Sequence, residues 1–251
     1  LTLVFIVGYI LIKGIPNLTP ELFQLEYNSE NVSMFPAIIN TICMTVLSLL
    51  IAGPLGILAA VYLVEYAKKG NKLVSLVRVT AETLTGIPSI VYGLFGMLFF
   101  VTTLHWGYSM LAGAFTLAIM VLPVIMRTTE EALLSVPDTF REASFGLGAG
   151  RLRTIFVVIL PSAVPGIFSG VILSIGRIVG ETAALMYTAG TVAELPKSVM
   201  SSTRTLSVHM YSLASEGLYV DQAYATAVVL LLIVLIINWI SGRIARKIKK
   251  G

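Results

Sequence analysis

Arg177 and Glu181 stand four residues apart in an otherwise apolar run, Ser174-Ile-Gly-Arg-Ile-Val-Gly-Glu-Thr182. On one helix they would share a face and could reach each other. A charge at mid-bilayer costs roughly 2.5–3.5 kcal/mol on insertion scales, so its presence needs a reason. Two readings stand. In one, the residues form a self-neutralising pair that fixes helix packing. In the other, Arg177 faces a water-filled path and attracts an anion, because its planar fork can donate two hydrogen bonds to an oxyanion at once. Glu181 would then hold the fork and offer an acceptor to a protonated oxyanion such as hydrogenphosphate, which disfavours fully deprotonated sulfate. Thr182 extends this polar stretch. Gly176 and Gly180, also four apart, would let a second helix come near.

A second set of polar residues lies in Ser135–Pro161. Ser135-x-x-Asp138 reads as a capping box that starts a helix. Val136, Phe140, Ala143 and Leu147 recur at helical spacing and make one apolar stripe, with Arg141 and Glu142 beside it. Gly146, Gly148 and Gly150 end the helix. A second amphipathic piece runs into Leu160-Pro161. A short helix with an apolar face, held just outside a membrane, is shaped to dock on a partner.

These stretches must be positioned by membrane spans. The 251 residues are 57% hydrophobic and 12% charged, with mean hydropathy +0.91, where soluble domains carry roughly 25% charged residues. The expected fold is all-α and polytopic, with six transmembrane helices. The first is Leu1 to Ile12, too short to span alone and so read as a helix truncated at its start. The others are about 37–64, with Pro54 as a kink, then 84–104, 109–126, 163–189 and 222–241. Pro88 suits a first helical turn, and Gly93 and Gly96 would admit a neighbouring helix. His105 to Tyr108 is a tight turn with interfacial aromatics. The segment 65–82 reads as a basic loop. Asn40, Thr41, Thr45 and Ser89 are expected to bond locally within their helices.

The sequence also excludes several chemistries. Cys43 is the only cysteine and reads as a small packed residue, so an intramolecular disulfide and a cysteine zinc site are ruled out. His105 and His209 lie far apart, and no metal site is expected. There is no GxxxxGK[S/T] phosphate loop, and Ser144, His209 and the acids form no nucleophile triad, so no catalytic residue is assigned.

Charge sets the expected topology. Six spans alternate sides, which puts the 65–82 loop, the central loop and the C-terminal tail on one face. Of the 17 Lys and Arg residues, the opposite face carries only Lys13, Lys197 and Arg204, and Arg177 lies in the membrane. The positive-inside rule makes the basic face, the tail included, cytoplasmic. The net charge of +4 therefore marks orientation and attraction to anionic lipid rather than nucleic-acid binding.

Glu142-Ala-Ser144, Gly148 and Val158-x-Leu-Pro161 together resemble the EAA loop of ABC importer permeases. Val158 replaces the usual isoleucine, and Ser144 the second alanine. Pro88-Ser-Ile-Val-x-Gly93-Leu, Leu122-Pro-Val-Ile-x-Arg127-Thr-Thr-Glu130 and Arg177-Ile-x-Gly-Glu181-Thr-Ala narrow the resemblance to permeases of phosphate-specific importers, and Glu181-Thr-Ala-x-Leu to the A type of their two permease subunits. The resemblance runs from about Asn40 to the tail. It implies the type I ABC importer permease fold over 1–251, as a single transmembrane domain with 127–161 as a cytoplasmic coupling loop. It implies a multi-pass protein of a bacterial or archaeal inner membrane. The partners implied are a related permease as heterodimer, two ATP-binding subunits that hold ATP and magnesium, and an extracytoplasmic phosphate-binding protein, with no cofactor in this chain. The site residues carried over are Arg177, Glu181 and Thr182 on the substrate path, and Phe140, Arg141, Glu142, Ala143, Ser144 and Gly148 at the ATPase docking surface. A permease for sulfate, molybdate or tungstate, or a secondary anion carrier, stands as the alternative.

Overall fold

The structure, a computed structural model, describes residues 2–68 and 70–248. Lys69, Lys249 and Lys250, counted above on the basic face, lie outside the described residues. Among the described residues every regular element is helical. The chain runs through α1 (Thr2–Gly14), α2 (Phe35–Val61), α3 (Lys72–Thr85), α4 (Ser89–Gly96), α5 (Met110–Leu134), α6 (Asp138–Gly146), α7 (Arg151–Thr154), α8 (Leu160–Val179), α9 (Ala183–Met186), α10 (Leu206–Glu216) and α11 (Val220–Ile248). Wide π-helical turns extend α2 over Tyr62–Tyr66, extend α4 over Met97–Thr103 and join α7 to α8 over Ile155–Ile159.

Four helical stretches are long and apolar enough to cross a membrane: Phe35–Tyr66, Met110–Leu134, Arg151–Val179 and Val220–Arg243. A fifth is obtained if α3 and extended α4, bent by 104° at their junction, count as one span, and the apolar helix Thr2–Asn17 is shorter. The structure corrects several expected boundaries. The 65–82 segment is not a loop throughout, because α3 begins at Lys72, where Asn71 caps it by accepting from the Leu73 N–H at 2.9 Å. The span expected to end at Met126 continues to Leu134. Its extra turns are held by Leu133, fully buried, and by Glu130 and Glu131, which pair with Arg78 and Arg127 at 2.6 and 3.2 Å. Ser135 does not cap α6; its hydroxyl donates to the Ala132 carbonyl at 2.7 Å, and Pro137 takes the capping position. Pro88 likewise precedes α4 rather than entering its first turn. Cys43 is exposed on the outside of α2 rather than packed.

The chain forms two compact units, and α2, α5, α8 and α11 each contribute to both. One unit comprises Leu1–Ser48, Pro88–Leu117 and Gly176–Ile237. Its packing depends on close backbone approach. A Cβ on Gly93 would lie 2.7 Å from the Ala184 Cα, and one on Gly96 would lie 2.2 Å from Thr116 Oγ1, so α4 can seat against α9 and α5 only with glycine there. Gly93→Ala should cost about 1–3 kcal/mol through overpacking. A lowered melting temperature and yield of the purified protein would register it. Gly53→Ala, where a Cβ meets nothing within 4 Å, should leave both unchanged.

The other unit comprises Leu49–Ile87, Ala118–Ile175 and Asn238–Gly251. Its core joins Ala60, Val61 and Leu63 of α2 to Met126 and Leu133 of α5 and to Ile155 and Ile159 at the start of the α8 span. Gly56 and Gly166 lie where a Cβ would press on Ile125 and Ala132, at 2.9 and 2.5 Å. This core fixes the base on which α6 stands.

Candidate functional site: an arginine at a helix break and an exposed amphipathic helix

In the first unit, α8 stops at Val179 and Gly180 begins a break. Arg177 and Glu181 therefore do not occupy one helix face as the spacing suggests, and they form no ion pair. The Glu181 carboxylate instead accepts from the Ala184 N–H at 3.0 Å and starts α9, while its backbone carbonyl accepts from the Ser207 hydroxyl at 2.5 Å. These two bonds hold the break open, and burial of Glu181 at 8% exposure keeps its side chain on the backbone. A carboxylate capping backbone N–H groups is a stable alternative to a helical pair.

Arg177 is left half-buried with no ion-pair partner among the described residues. Gly176 beside it opens onto free space, and no other helix among the described residues packs against it. Thr182 is half-buried in the same break. The geometry presents a guanidinium at the end of a membrane helix, beside open space, with its fork unclaimed. Such a group suits a tetrahedral oxyanion.

The α9–α10 connection and the start of α10 carry polar residues that the spacing did not single out. Asn40 does not bond locally but donates across to the Glu194 and Arg204 carbonyls at 3.3 and 3.2 Å. Thr41 and Thr45 do bond locally, to the Ala37 and Thr41 carbonyls, and Thr41 also accepts from the Leu206 N–H at 2.8 Å. His209 is completely buried, and burial first, then the Arg204 charge, pushes its pKa down to about 3. It is neutral at physiological pH. Between the ordinary value near 6.5 and that lowered one, the unfolded chain takes up a proton that the folded chain refuses, so stability should fall as pH drops through this window. The slope is about 1.4 kcal/mol per pH unit. Melting curves in detergent from pH about 7 down to about 5 should reveal it, with a flatter slope in His209→Gln.

In the second unit, α6 is fastened from below and open above. Arg141 is turned inward. Its Nε and Nη2 donate to Glu65 Oε1 at 3.1 and 2.7 Å, and its Nη1 and Nη2 donate to the Val136 and Leu133 carbonyls at 2.9 and 3.1 Å. One side chain thus ties the ends of α2 and α5 to α6. Arg151 lies over the Tyr66 ring, 4.8 Å from its centre, and donates to the Glu65 carbonyl. Ser144 and Thr154 share a hydroxyl hydrogen bond of 2.8 Å, which links α6 to α7. Gly148, at φ +80°, makes the left-handed turn between them with open space around it.

Phe140, Phe145 and Leu147 point outward at 48%, 48% and 90% exposure, and Glu142 and Ala143 are exposed with them. A groove of about 710 Å³ runs beneath, lined by Glu65, Val136, Arg141, Phe145 and Arg151 among others. Of the residues predicted for docking, the structure exposes Phe140, Glu142, Ala143 and Gly148, and turns Arg141 and Ser144 inward. Glu65, Arg151 and Thr154 join this arrangement without belonging to the docking pattern in the sequence. Glu65 is separated by 76 residues from its partner, and the one signal for it was an acid at the end of an apolar span on a basic face.

The family model described as "Binding-protein-dependent transport system inner membrane component" matches residues 52–250, and the chain belongs to that family. It is 34% identical over 268 residues to the probable ABC transporter permease protein YqgI of Bacillus subtilis, covering 98% of this chain and 91% of that one. It is 38% identical over 240 residues to the phosphate transport system permease protein PstA of Pasteurella multocida, covering 94% and 85%. Its fold is that of solved type I importers. It superposes on a bacterial alginate ABC transporter chain with TM-score 0.72 at 18% identity, covering 98% and 91%, and on a MetNI methionine transporter chain with TM-score 0.65 at 22% identity, covering 86% and 94%.

Proposed function

We propose that this chain is a PstA-type permease subunit of an ATP-driven ABC importer for inorganic phosphate, embedded as a multi-pass protein in the inner membrane. The similarity to PstA proteins over 94% of the chain carries this reading. Arg177, without an ion-pair partner among the described residues and beside open space, supports it, since a dianionic or monoanionic phosphate needs such a group on its way. Residues 1–251 act as one permease domain, with 127–161 as its coupling loop.

The partners are two cytoplasmic ATP-binding subunits and an extracytoplasmic binding protein. A PstC-type permease completes the path as heterodimer. The chain hydrolyses nothing itself and holds no cofactor; ATP and magnesium belong to the ATPase subunits. Its basic face and tail are cytoplasmic by the positive-inside rule.

The mechanism is alternating access. ATPase closure pushes on Phe140, Phe145 and Leu147. The Glu65–Arg141 and Ser144–Thr154 fastenings carry that push into α2, α5 and the α8 span as a body, and Gly148 permits the reversal between α6 and α7. The binding protein releases phosphate to a path where Arg177 offers its fork, with Thr182 alongside. Glu181 fixes the helix break that presents Arg177.

Competition tests the substrate. In membrane vesicles carrying the whole transporter, unlabelled phosphate and arsenate should suppress labelled phosphate uptake, while sulfate, molybdate and tungstate at equal concentration should not. Equal suppression by sulfate would move the chain to another oxyanion.

A further inference from the structure

The connections α1–α2 and α9–α10 enclose a second basic centre that the reading above does not use. It lies entirely within the first unit. Arg204 is 5% exposed and His209 0%. Arg204 Nε and Nη2 and both ring nitrogens of His209 have no hydrogen-bond partner among the described residues. Asn40 Oδ1 and Thr203 Oγ1 lack one as well, so all the buried unpartnered side-chain atoms except Thr129 Oγ1 belong to this neighbourhood. The Val32 backbone lies near the His209 ring without making a hydrogen bond of good geometry.

The centre is ordered. Asn40 is pinned by its Nδ2 to the Glu194 and Arg204 carbonyls. The Arg204 guanidinium sits 5.0 Å over the Tyr27 ring, and that ring meets His209 edge-on at 6.1 Å. No carboxylate of the described residues comes within 4.0 Å of Arg204. A buried guanidinium without a counter-charge is strongly unfavourable, and unmet buried donors grouped at one point mark the place of an ion or water.

Adjacent Nε and Nη2 donors match two oxygens of an oxyanion better than a single halide. Tyr27 also lines a neighbouring cavity of about 400 Å³ that carries Glu26 and Glu194. Carboxylates in that neighbouring cavity favour an anion that still bears a proton and can donate to them, which hydrogenphosphate does and sulfate does not. Ser207, three residues beyond Arg204, donates to the Glu181 carbonyl, so this centre adjoins the helix break that presents Arg177.

We propose that Arg204, with His209, Thr203 and Asn40, forms a small-oxyanion site that receives phosphate on the outer side before it reaches Arg177. This rests on the phosphate reading for its cargo, but not for the site itself.

The test measures binding of radiolabelled inorganic phosphate to the assembled transporter without its binding protein, in low-chloride buffer. Arg177→Gln serves as background, and Arg204→Lys is added because it keeps the charge and the fold while losing the fork. Loss of a charge-assisted bidentate contact should weaken phosphate binding by about tenfold or more. Thr203→Ala should weaken it less, and sulfate should compete poorly. Unchanged phosphate binding in Arg204→Lys, or binding of neither phosphate nor sulfate to an assembled wild-type complex, overturns the site. A tenfold loss in affinity for the binding protein with phosphate binding unchanged also overturns it, and assigns Arg204 to a partner's carboxylate. If the complex binds phosphate through Arg204 yet transports only another anion, the site stands and the phosphate reading falls.

Discussion

Replacing Arg177 by glutamine should abolish most uptake while leaving the transporter assembled and able to hydrolyse ATP. Arg177 makes no ion pair and supports no neighbouring backbone group, so its removal should disturb packing little. It offers a charge-assisted fork, worth about 1.5–3 kcal/mol per hydrogen bond, and uptake at limiting phosphate should slow roughly 10- to 100-fold. Lysine at this position should restore part of the rate through its charge but not the geometry. Glu181→Gln should behave differently. Its carboxylate caps α9 and does not contact Arg177, so the loss should appear first as lowered stability, with phosphate over sulfate preference retained. A changed preference without loss of stability would return Glu181 to the anion path.

Glu65→Ala should uncouple the transporter. The Glu65 and Arg141 side chains are 10% and 16% exposed, and Arg141 would keep its bonds to the Leu133 and Val136 carbonyls and its pairing with the exposed Asp138 at 3.1 Å, but lose its buried counter-charge. Removing one partner of a largely buried pair costs about 3 kcal/mol. α6 would then move against α2 instead of with it, so ATP hydrolysis should continue while phosphate accumulated per ATP falls. Glu65→Asp should recover part of the coupling. An Arg141→Ala, Glu65→Ala double variant should be less impaired than the sum of the two single ones, because both single changes remove the same bond. Strict additivity would separate the two residues.

Local sequence carried the elements whose causes are local. The apolar runs, the glycine-ended docking helix and the turn at His105–Gly107, where His105 has φ 55°, follow from composition and neighbouring residues. Misjudged boundaries share another cause. The charges of α3 read as a solvated loop in the sequence, yet Arg78 and Glu82 are matched by Glu130 and Arg127 on α5, 45 residues or more away. The apolar run 163–189 reads as one span in the sequence, whereas α8 stops at Val179. What ends it is a cap to Ala184 and a hydroxyl from Ser207, 26 residues on. Residue type and setting single out Arg177 in the sequence, while its separation from Glu181 is legible only in three dimensions. Arg204 and His209 gave no signal beyond being polar residues in a loop, since their burial is set by Tyr27 and α2.

The most direct measurement is phosphate accumulation in proteoliposomes that contain the permease pair and the ATP-binding subunits. The account predicts accumulation that requires ATP and the binding protein together, and that Arg177→Gln removes while ATP hydrolysis persists. Phosphate movement through this chain alone, without ATP, would contradict it and make the chain a secondary carrier.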